Sequence, residues 1–269
     1  MVKKVVISIP VHEESLVVAD HLRNIRKFVP NSVVVLHASA DGPDNFKNDM
    51  DSLANGEFNN FVYINDTSYH TYAANEAGNV YGLSTVHSSN FRYINSIVND
   101  FDVFALETSN DMFVRKGVES LWEQYRCACG IKKDSVEAWR NRDIGARNLI
   151  DSLNKFAPVK FIEKHAQEGT FYPKEVFKQV SDIVLDGLGG FVAAEELVLH
   201  TLAFSVDPTL YEDVYVGSYV FHDATHYATS VSDINRVRDG GTGHYAVKRV
   251  PRRMGDACRD YIAELTKND

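Results

Sequence analysis

Residues 5–9 of this 269-residue chain read Val-Val-Ile-Ser-Ile and end at Pro10, and this short β-rich run predicts a buried first strand. Apolar residues then recur at helical spacing from Val18 to Val29, and a second β-rich run, Ser32–Ala38, follows. A strand, a helix and a second strand in this order form the unit from which parallel sheets are built. The start of the chain therefore already predicts an α/β fold.

The same alternation continues along the chain. Residues 61–64 predict a third strand, Leu83–Ile97 a second helix and Val103–Leu106 a fourth strand. We therefore expect a Rossmann-type fold with a mostly parallel central sheet and helices on both faces. The later pattern is weaker: it predicts strands at 159–162 and 170–172 and helices at 174–185 and 194–204.

Composition limits the classes of function. The net charge of −9 argues against nucleic-acid binding, because a phosphate backbone attracts a basic surface. The apolar runs are too short to span a bilayer and the start does not resemble a signal peptide, so we expect at most peripheral membrane contact. Three cysteines are too few for a disulfide framework, which favours a cytoplasmic location.

Polar side chains follow each predicted strand. Ligands of parallel sheets bind beyond the carboxyl ends of the strands, so these side chains should line one edge of the sheet. The set comprises His12, His37, Asp41, Asp66, Glu107, Thr108, Asn110 and Asp111.

Five short blocks occur in a fixed order and carry a family resemblance. They are Ile-Pro-Val-His at 9–12, Val-Val-Val-Leu-His-Ala at 33–38, Tyr-Gly-Leu-Ser at 81–84, the stretch from Phe101 to Asp111, and Glu-Glu-Leu-Val-Leu-His-Thr-Leu at 195–202. Together they resemble the core-2/I-branching β-1,6-N-acetylglucosaminyltransferase family, which is similar in plan to GT-A glycosyltransferases. The resemblance covers most of the chain.

This resemblance implies an inverting glycosyltransferase of the hexosyl- or N-acetylhexosaminyltransferase class, of the kind used in polysaccharide biosynthesis. It would transfer a sugar from a nucleotide-sugar donor to a hydroxyl of a glycan or lipid-linked acceptor. It also implies one GT-A-like domain over residues 1–269, with a nucleotide-sugar-binding half at 1–115 and an acceptor-binding and catalytic half at 116–269.

The family's Asp-Glu block supplies the catalytic base, and its glutamate corresponds to Glu196. A carboxylate there would take the proton from the acceptor hydroxyl. The resemblance places Glu168, Tyr172 and Glu195 near the acceptor. The simpler interpretation of Glu195 and Glu196 is that acidic residues in the first turn of a helix complement its dipole.

Basic residues near the C-terminus are the second set of candidate site residues. The family neutralises the leaving diphosphate with a lysine and an arginine, and the lysine corresponds to Lys248. The arginine block does not align cleanly and leaves Arg236, Arg238 and Arg249 as alternatives; a solvated charged surface is another. The predicted donor-binding residues are His12, His37, Asp41, Asp111, Arg238, Lys248 and Arg249.

No metal site or cofactor is predicted. Asp100-Phe101-Asp102 matches the sequence of a metal-binding Asp-x-Asp motif, but it precedes the fourth predicted strand. We therefore interpret it as a capped entry into that strand and not as a metal site. Two alternatives remain open. One is a Mn²⁺- or Mg²⁺-dependent GT-A transferase or sugar nucleotidyltransferase, and the other is a glycan-binding module without catalysis.

Overall fold

A computed structural model describes residues 3–40, 42–67, 82–130, 133–141, 144–163, 167–188, 195–223 and 227–268. The strands are β1 Val5–Val11, β2 Ser32–Ala38, β3 Val62–Asn65, β4 Val103–Leu106, β5 Met112–Phe113, β6 Cys127–Cys129, β7 Lys133–Ser135, β8 Phe161–Glu163, β9 Thr170–Pro173, β10 Val214–Val216, β11 Val220–Phe221 and β12 Ala246–Val247. The helices are α1 Ser15–Phe28, α2 Phe46–Asn55, α3 Leu83–Ile97, α4 Val118–Gln124, α5 Val136–Arg140, α6 Ile144–Leu153, α7 Lys174–Asp182, α8 Glu195–Val206, α9 Val231–Arg238 and α10 Ala257–Asn268.

The central sheet has the strand order β3-β2-β1-β4-β9. Its first four strands are parallel, and β9 runs antiparallel beside β4. Ser8 lies opposite Leu106, so β1 continues three residues beyond the end of β4, to Val11. The predicted α/β fold with a mostly parallel sheet is confirmed.

Helices cover both faces of this sheet. Alternate side chains of a strand point to opposite faces, so Ile7 and Ile9 pack with Leu22 of α1 while Val6 and Phe104 belong to a second cluster with α3, α7 and α8. The second cluster contains an aromatic group in which the rings of Phe91, Phe104 and Phe177 lie 4.6 to 5.4 Å apart. The predicted placement of helices on both faces is confirmed.

A small three-stranded sheet stands beyond the end of β4. Its order is β11-β12-β5, and β12 is antiparallel to β5 with Val247 opposite Met112. The residue before Met112 is Asp111 and the residue after Val247 is Lys248. Because the two strands are antiparallel, this register places Asp111 and Lys248 side by side.

Several details differ from the sequence-based prediction. Helix α2 was not predicted. The helix expected at 174–185 is α-helical only to Asp182 and then passes into a π-helical turn, Ile183–Gly187. Within the part of the chain that the structure describes, none of the helices combines the length and the apolar character needed to cross a membrane.

Candidate functional site

The turn at residues 107–111 forms the centre of the candidate site. It follows β4 directly, at the edge where the parallel strands end. The backbone N–H of Thr108 donates to Oδ2 of Asp111 over 2.8 Å, and the N–H of Asp111 donates to the carbonyl of Thr108 over 3.1 Å. The Thr108 hydroxyl donates to the Asn110 side chain over 2.8 Å. These bonds hold Asp111 in one orientation, fully buried.

Glu168 and Lys248 form an ion pair beside this turn, and both side chains are largely buried. Glu168 reaches this place because the N–H of Gly169 donates to the carbonyl of Leu106, the last residue of β4, over 2.9 Å. Gly169 has a φ of 71°, and a Cβ there would lie 2.3 Å from the Ser218 hydroxyl, so only glycine fits. The structure thus groups Asp111, predicted to bind donor, with Lys248 and Glu168.

The charge state of Asp111 is set by its surroundings. The pKa of its carboxyl is raised to about 7 in total. Burial raises the pKa, the positive charge of Lys248 lowers it, and the negative charge of Glu168 raises it. Its Oδ1 has no hydrogen-bond partner among the described residues. The pKa of Asp111 therefore lies near neutral pH. Its neighbour Lys248 is a cation that can attract an anion.

Glu107, the first residue after β4, is a second buried carboxyl. Burial raises its pKa well above the ordinary range, and the charge of Asp111 acts in the same direction. The Tyr219 hydroxyl donates to Oε1 of Glu107 over 3.0 Å, and Nε2 of His21 lies 3.9 Å from Oε2. Burial also lowers the pKa of His21 to about 3, so the imidazole is neutral at pH 7. Burial thus acts on both groups in favour of the neutral form.

Glu13 is a third buried carboxylate on this edge, and the sequence analysis did not single it out. Its Oε1 accepts a hydrogen bond from the Ser109 hydroxyl and lies 2.5 Å from Nε of Arg252. The N–H of His12 donates to Oε2 over 3.0 Å, and Nε2 of the same histidine lies 3.5 Å from Oε1. His12, predicted to bind donor, thus lies at the carboxyl edge beside Glu13, and its side chain is partly exposed.

His37 lies in the interior. It is fully buried in β2. Burial lowers the pKa of the neighbouring His87 to about 3, and the proximity of His37 acts in the same direction. Nδ1 of His87 lies 2.8 Å from the Ser8 hydroxyl, which accepts a hydrogen bond from the Asn90 side chain over 3.0 Å. The predicted donor contact of His37 would therefore require the ligand to reach below the surface of the sheet edge.

Two further predicted residues lie outside the group of Asp111, Glu168 and Lys248. Tyr172 is fully buried in β9, with its hydroxyl 2.5 Å from Nδ1 of His200, and its ring packs in the core instead of facing an acceptor. Arg238 lies on α9, where it contacts Asp239 over 3.2 Å and the hydroxyl of Tyr261 over 3.0 Å.

Arg249 directly follows Lys248 and has a φ of 66°, which turns the chain sharply at this point. Asp41 lies outside the described residues. The backbone of Glu195 and Glu196 forms the first turn of α8, but their side chains lie outside the described part.

The Asp100-Phe101-Asp102 motif stands at the opposite edge of the sheet. The carboxylate of Asp102 accepts a hydrogen bond from the backbone N–H of Lys4 over 2.8 Å, and Asp100 forms an ion pair with the Lys4 side chain. The prediction of a strand entry is confirmed. Among the described residues, no three His, Cys, Asp or Glu side chains are grouped closely enough to hold a metal ion.

Comparison with known proteins gives similarity to solved structures only. No protein-family model matches the chain, and no curated protein sequence does. Core-mannan synthase A from Aspergillus fumigatus, in its Mn/GDP form, superimposes with a TM-score of 0.42 at 10% identity over 80% of this chain and 72% of that chain.

Two structures of LgtC are also similar. An active-site mutant gives a TM-score of 0.49 at 9% identity, and the galactosyltransferase in complex with donor and acceptor sugar analogues gives 0.45 at 10%; each match covers 98% of this chain and 95% of that chain. At these TM-scores the similarity assigns neither a family nor a function.

Proposed function

We propose that the chain is an inverting glycosyltransferase that transfers a sugar from a nucleotide-sugar donor to a hydroxyl of a glycan or lipid-linked acceptor. The observation that carries the proposal is the group of Asp111, Glu168 and Lys248 at the carboxyl edge of a mostly parallel sheet. Nucleotides bind α/β proteins at this edge. The ordered sequence blocks that resemble the branching transferases support the same reaction.

Lys248 is the proposed cation for the donor diphosphate. When the bond between the anomeric carbon and the phosphate oxygen breaks, the leaving nucleoside diphosphate gains negative charge. An ammonium group with only 18% of its side chain exposed interacts with that charge more strongly than a solvated lysine would. The diphosphate would replace Glu168 as the partner of Lys248, and the released carboxylate would be available to an acceptor hydroxyl.

Glu196 is the proposed base. The acceptor oxygen attacks the anomeric carbon and its proton passes to the carboxylate, while the electrons of the breaking bond leave with the diphosphate. The backbone of Glu196 lies in the first turn of α8, one turn before His200, whose ring contacts β9 through Tyr172. We propose that Glu195, the residue before Glu196, also contacts the acceptor.

We further propose that Lys248 takes the role that Mn²⁺ or Mg²⁺ has in metal-dependent transferases. The proposal rests on the position of a partly buried cation next to Asp111. Under the alternative, a divalent metal would lie near the carboxylates of Asp111 and Glu168, and turnover would depend on it.

The test is a panel of nucleotide sugars screened by thermal shift and by donor hydrolysis, with EDTA and with Mn²⁺. The variants are Glu196→Gln, Lys248→Met and the control Lys178→Met, which alters a lysine on α7 with half of its side chain exposed. We expect one donor to stabilise wild type, turnover to survive EDTA, and Glu196→Gln to bind donor but lose about 10²–10⁴-fold in kcat. Lys248→Met should lose donor binding.

Three results would contradict parts of this proposal. A requirement for Mn²⁺ would move the diphosphate contact from Lys248 to a metal. Full turnover by Glu196→Gln would remove the base assignment. Binding of glycans by wild type without turnover of any donor would favour a glycan-binding module.

A further inference from the structure

A cavity of about 460 Å³ lies beside β3, the strand at one end of the central sheet. Residues 65–67 at the end of β3 form one wall, four residues of α3 form a second, and Leu185 of the π-helical turn adds an apolar side chain. Three strand spacings separate β3 from β4, so the ends of these two strands are about 14 Å apart. The cavity is therefore distinct from the candidate site around Asp111.

Hydrogen bonds fix the wall at the end of β3. The N–H of Thr67 donates to Oδ1 of Asn65 over 3.1 Å, so the amide nitrogen of Asn65 faces α3 as a donor. This nitrogen donates to the Ser89 hydroxyl over 2.9 Å and to the Asn90 side chain over 3.0 Å. Because Ser89 accepts this bond, it can donate its own hydroxyl hydrogen to a ligand in the cavity.

The wall formed by α3 combines an aromatic ring with hydroxyl groups. Tyr93 is half-buried, and burial together with the nearby Asp66 and Asp51 raises the pKa of its hydroxyl, so the phenol keeps its proton at neutral pH. The Ser96 hydroxyl donates to the carbonyl of Tyr93 over 2.7 Å, which leaves the Ser96 oxygen as an acceptor. A ring with a polar end suits a ligand that has both apolar faces and hydroxyl groups.

The charges around the cavity are paired, which disfavours an anionic ligand. Arg92 donates to both carboxylate oxygens of Asp186 over 2.7 and 3.1 Å and contacts Asp182 at 3.3 Å, which also holds the π-helical turn against α3. Asp66 lies 3.4 Å from Nζ of Lys47, and 83% of its side chain is exposed. An anion would have to displace a carboxylate from Arg92 and approach Asp66. A ligand with uncharged hydroxyls avoids this cost, since each hydroxyl both donates and accepts.

We propose that this cavity is a second ligand site and that it binds an uncharged sugar unit. Asp66 and Ser96 supply acceptors, and Ser89 supplies a donor. Tyr93 adds a ring face and a hydroxyl. The volume falls within the range of about 300–1,000 Å³ that is usual for small-molecule sites. The inference goes beyond the proposed function, because binding here requires neither a nucleotide sugar nor turnover.

The experiment screens the full chain against maltotriose, cellotriose, chitotriose and mannotriose by saturation-transfer NMR, and isothermal titration calorimetry measures each Kd. The variants are Asp66→Asn and Tyr93→Ala, with Tyr93→Phe as the conservative change. The matched control is Asp100→Asn, because Asp100 is 78% exposed, pairs with a lysine as Asp66 does, and lies at the opposite edge of the sheet. Lys248→Met alters the candidate site instead. Circular dichroism checks that each variant folds, and Asp66→Asn decides the test if Tyr93→Ala does not.

Wild type should bind at least one of these trisaccharides. Asp66→Asn should weaken binding about fivefold or more, because a charged acceptor becomes a neutral one. Tyr93→Ala should weaken it about tenfold or more through the loss of the ring, and Tyr93→Phe by a smaller factor. Asp100→Asn and Lys248→Met should stay within about twofold of wild type.

Four results would overturn the inference. They are no binding of any trisaccharide by wild type, unchanged binding in either Asp66→Asn or a folded Tyr93→Ala, loss of binding in Lys248→Met, and displacement of the sugar by millimolar orthophosphate. Loss in Lys248→Met would assign the sugar to the candidate site, and displacement would mean that Arg92 binds an anion.

The inference and the proposed function fail separately. Sugar binding that depends on Asp66 and Tyr93, in a protein that turns over no nucleotide sugar, would support the second site and contradict the proposed function. Turnover of a nucleotide sugar by a protein that binds none of the trisaccharides would support the proposed function and contradict the second site.

Discussion

Substitution of Asp111 by asparagine should stabilise the protein at alkaline pH. Asp111 is fully buried, and burial raises the pKa of its carboxyl from 3.8 to about 7. Asparagine has nearly the same shape, and its side-chain oxygen can still accept the bond that Oδ2 takes from the N–H of Thr108. The variant therefore removes the charge and keeps the turn.

The magnitude follows from the difference between the folded and unfolded pKa. Because the folded pKa is the higher one, the folded state holds more protons than the unfolded state between about pH 4 and pH 7, and stability falls as pH rises through this window. The rise of the pKa from 3.8 to about 7 lowers the free energy of unfolding by about 4 kcal/mol at most, of which about 3 kcal/mol develops between pH 5 and pH 8.5.

The assay is urea unfolding of wild type and Asp111→Asn at pH 5 and pH 8.5, followed by tryptophan fluorescence, to which the buried Trp122 contributes. The stability gain of the variant should be larger at pH 8.5 than at pH 5 by about 2–3 kcal/mol. Glu264→Gln, which alters an exposed carboxylate on α10, should show no such difference. A variant that is less stable than wild type at pH 8.5, or a gain that is equal at both pH values, would refute the reasoning.

Three further outcomes follow from the packing. Gly169→Ala should lower the free energy of unfolding by about 2 kcal/mol or more, because the added methyl group would clash with the Ser218 hydroxyl and because residue 169 has a φ of 71°, which alanine rarely adopts. Thermal unfolding measures this loss. Phe104→Ala should cost about 3–5 kcal/mol in urea unfolding, since its ring is fully buried in the aromatic cluster. Burial lowers the pKa of His87 to about 3, so the unfolded chain takes up a proton near pH 6.5 and the folded chain does not. The cost of His87→Gln measured at pH 7 should therefore shrink by about 2–3 kcal/mol at pH 4.5.

The first half of the fold could be predicted because its strands are continuous apolar runs. β2 occupies the predicted residues Ser32–Ala38, and α3 occupies Leu83–Ile97. Helix α2 escaped prediction because its buried residues are only Phe46 and Met50, too few to establish a helical period. The two-residue strands β5, β11 and β12 depend on pairing between distant segments, which no local pattern encodes.

The candidate site was predictable in part for the same reason. The rule that ligands bind where strands end led to Asp111, and the family resemblance led to Glu168 and Lys248. The ion pair between the last two joins segments far apart in the sequence: the pairing of β12 with β5 brings Lys248 to the turn, and the hydrogen bond from Gly169 to Leu106 brings Glu168 there. Glu13 was missed because an acidic residue just before a helix is commonplace, and its partners Ser109 and Arg252 lie in distant segments.

Among the described residues of the carboxyl edge, Glu13, Glu107 and Asp111 have carboxyl groups that are almost fully buried, and each is accommodated differently. Glu13 forms an ion pair with Arg252. Glu107 receives a hydrogen bond from Tyr219, and burial favours its neutral form. Asp111 lies between these cases, since the charge of Lys248 opposes the effect of burial and leaves its pKa at about 7. An anionic ligand bound to Lys248 would neutralise the positive charge that opposes the effect of burial on Asp111. Such a ligand therefore binds most easily when Asp111 is protonated.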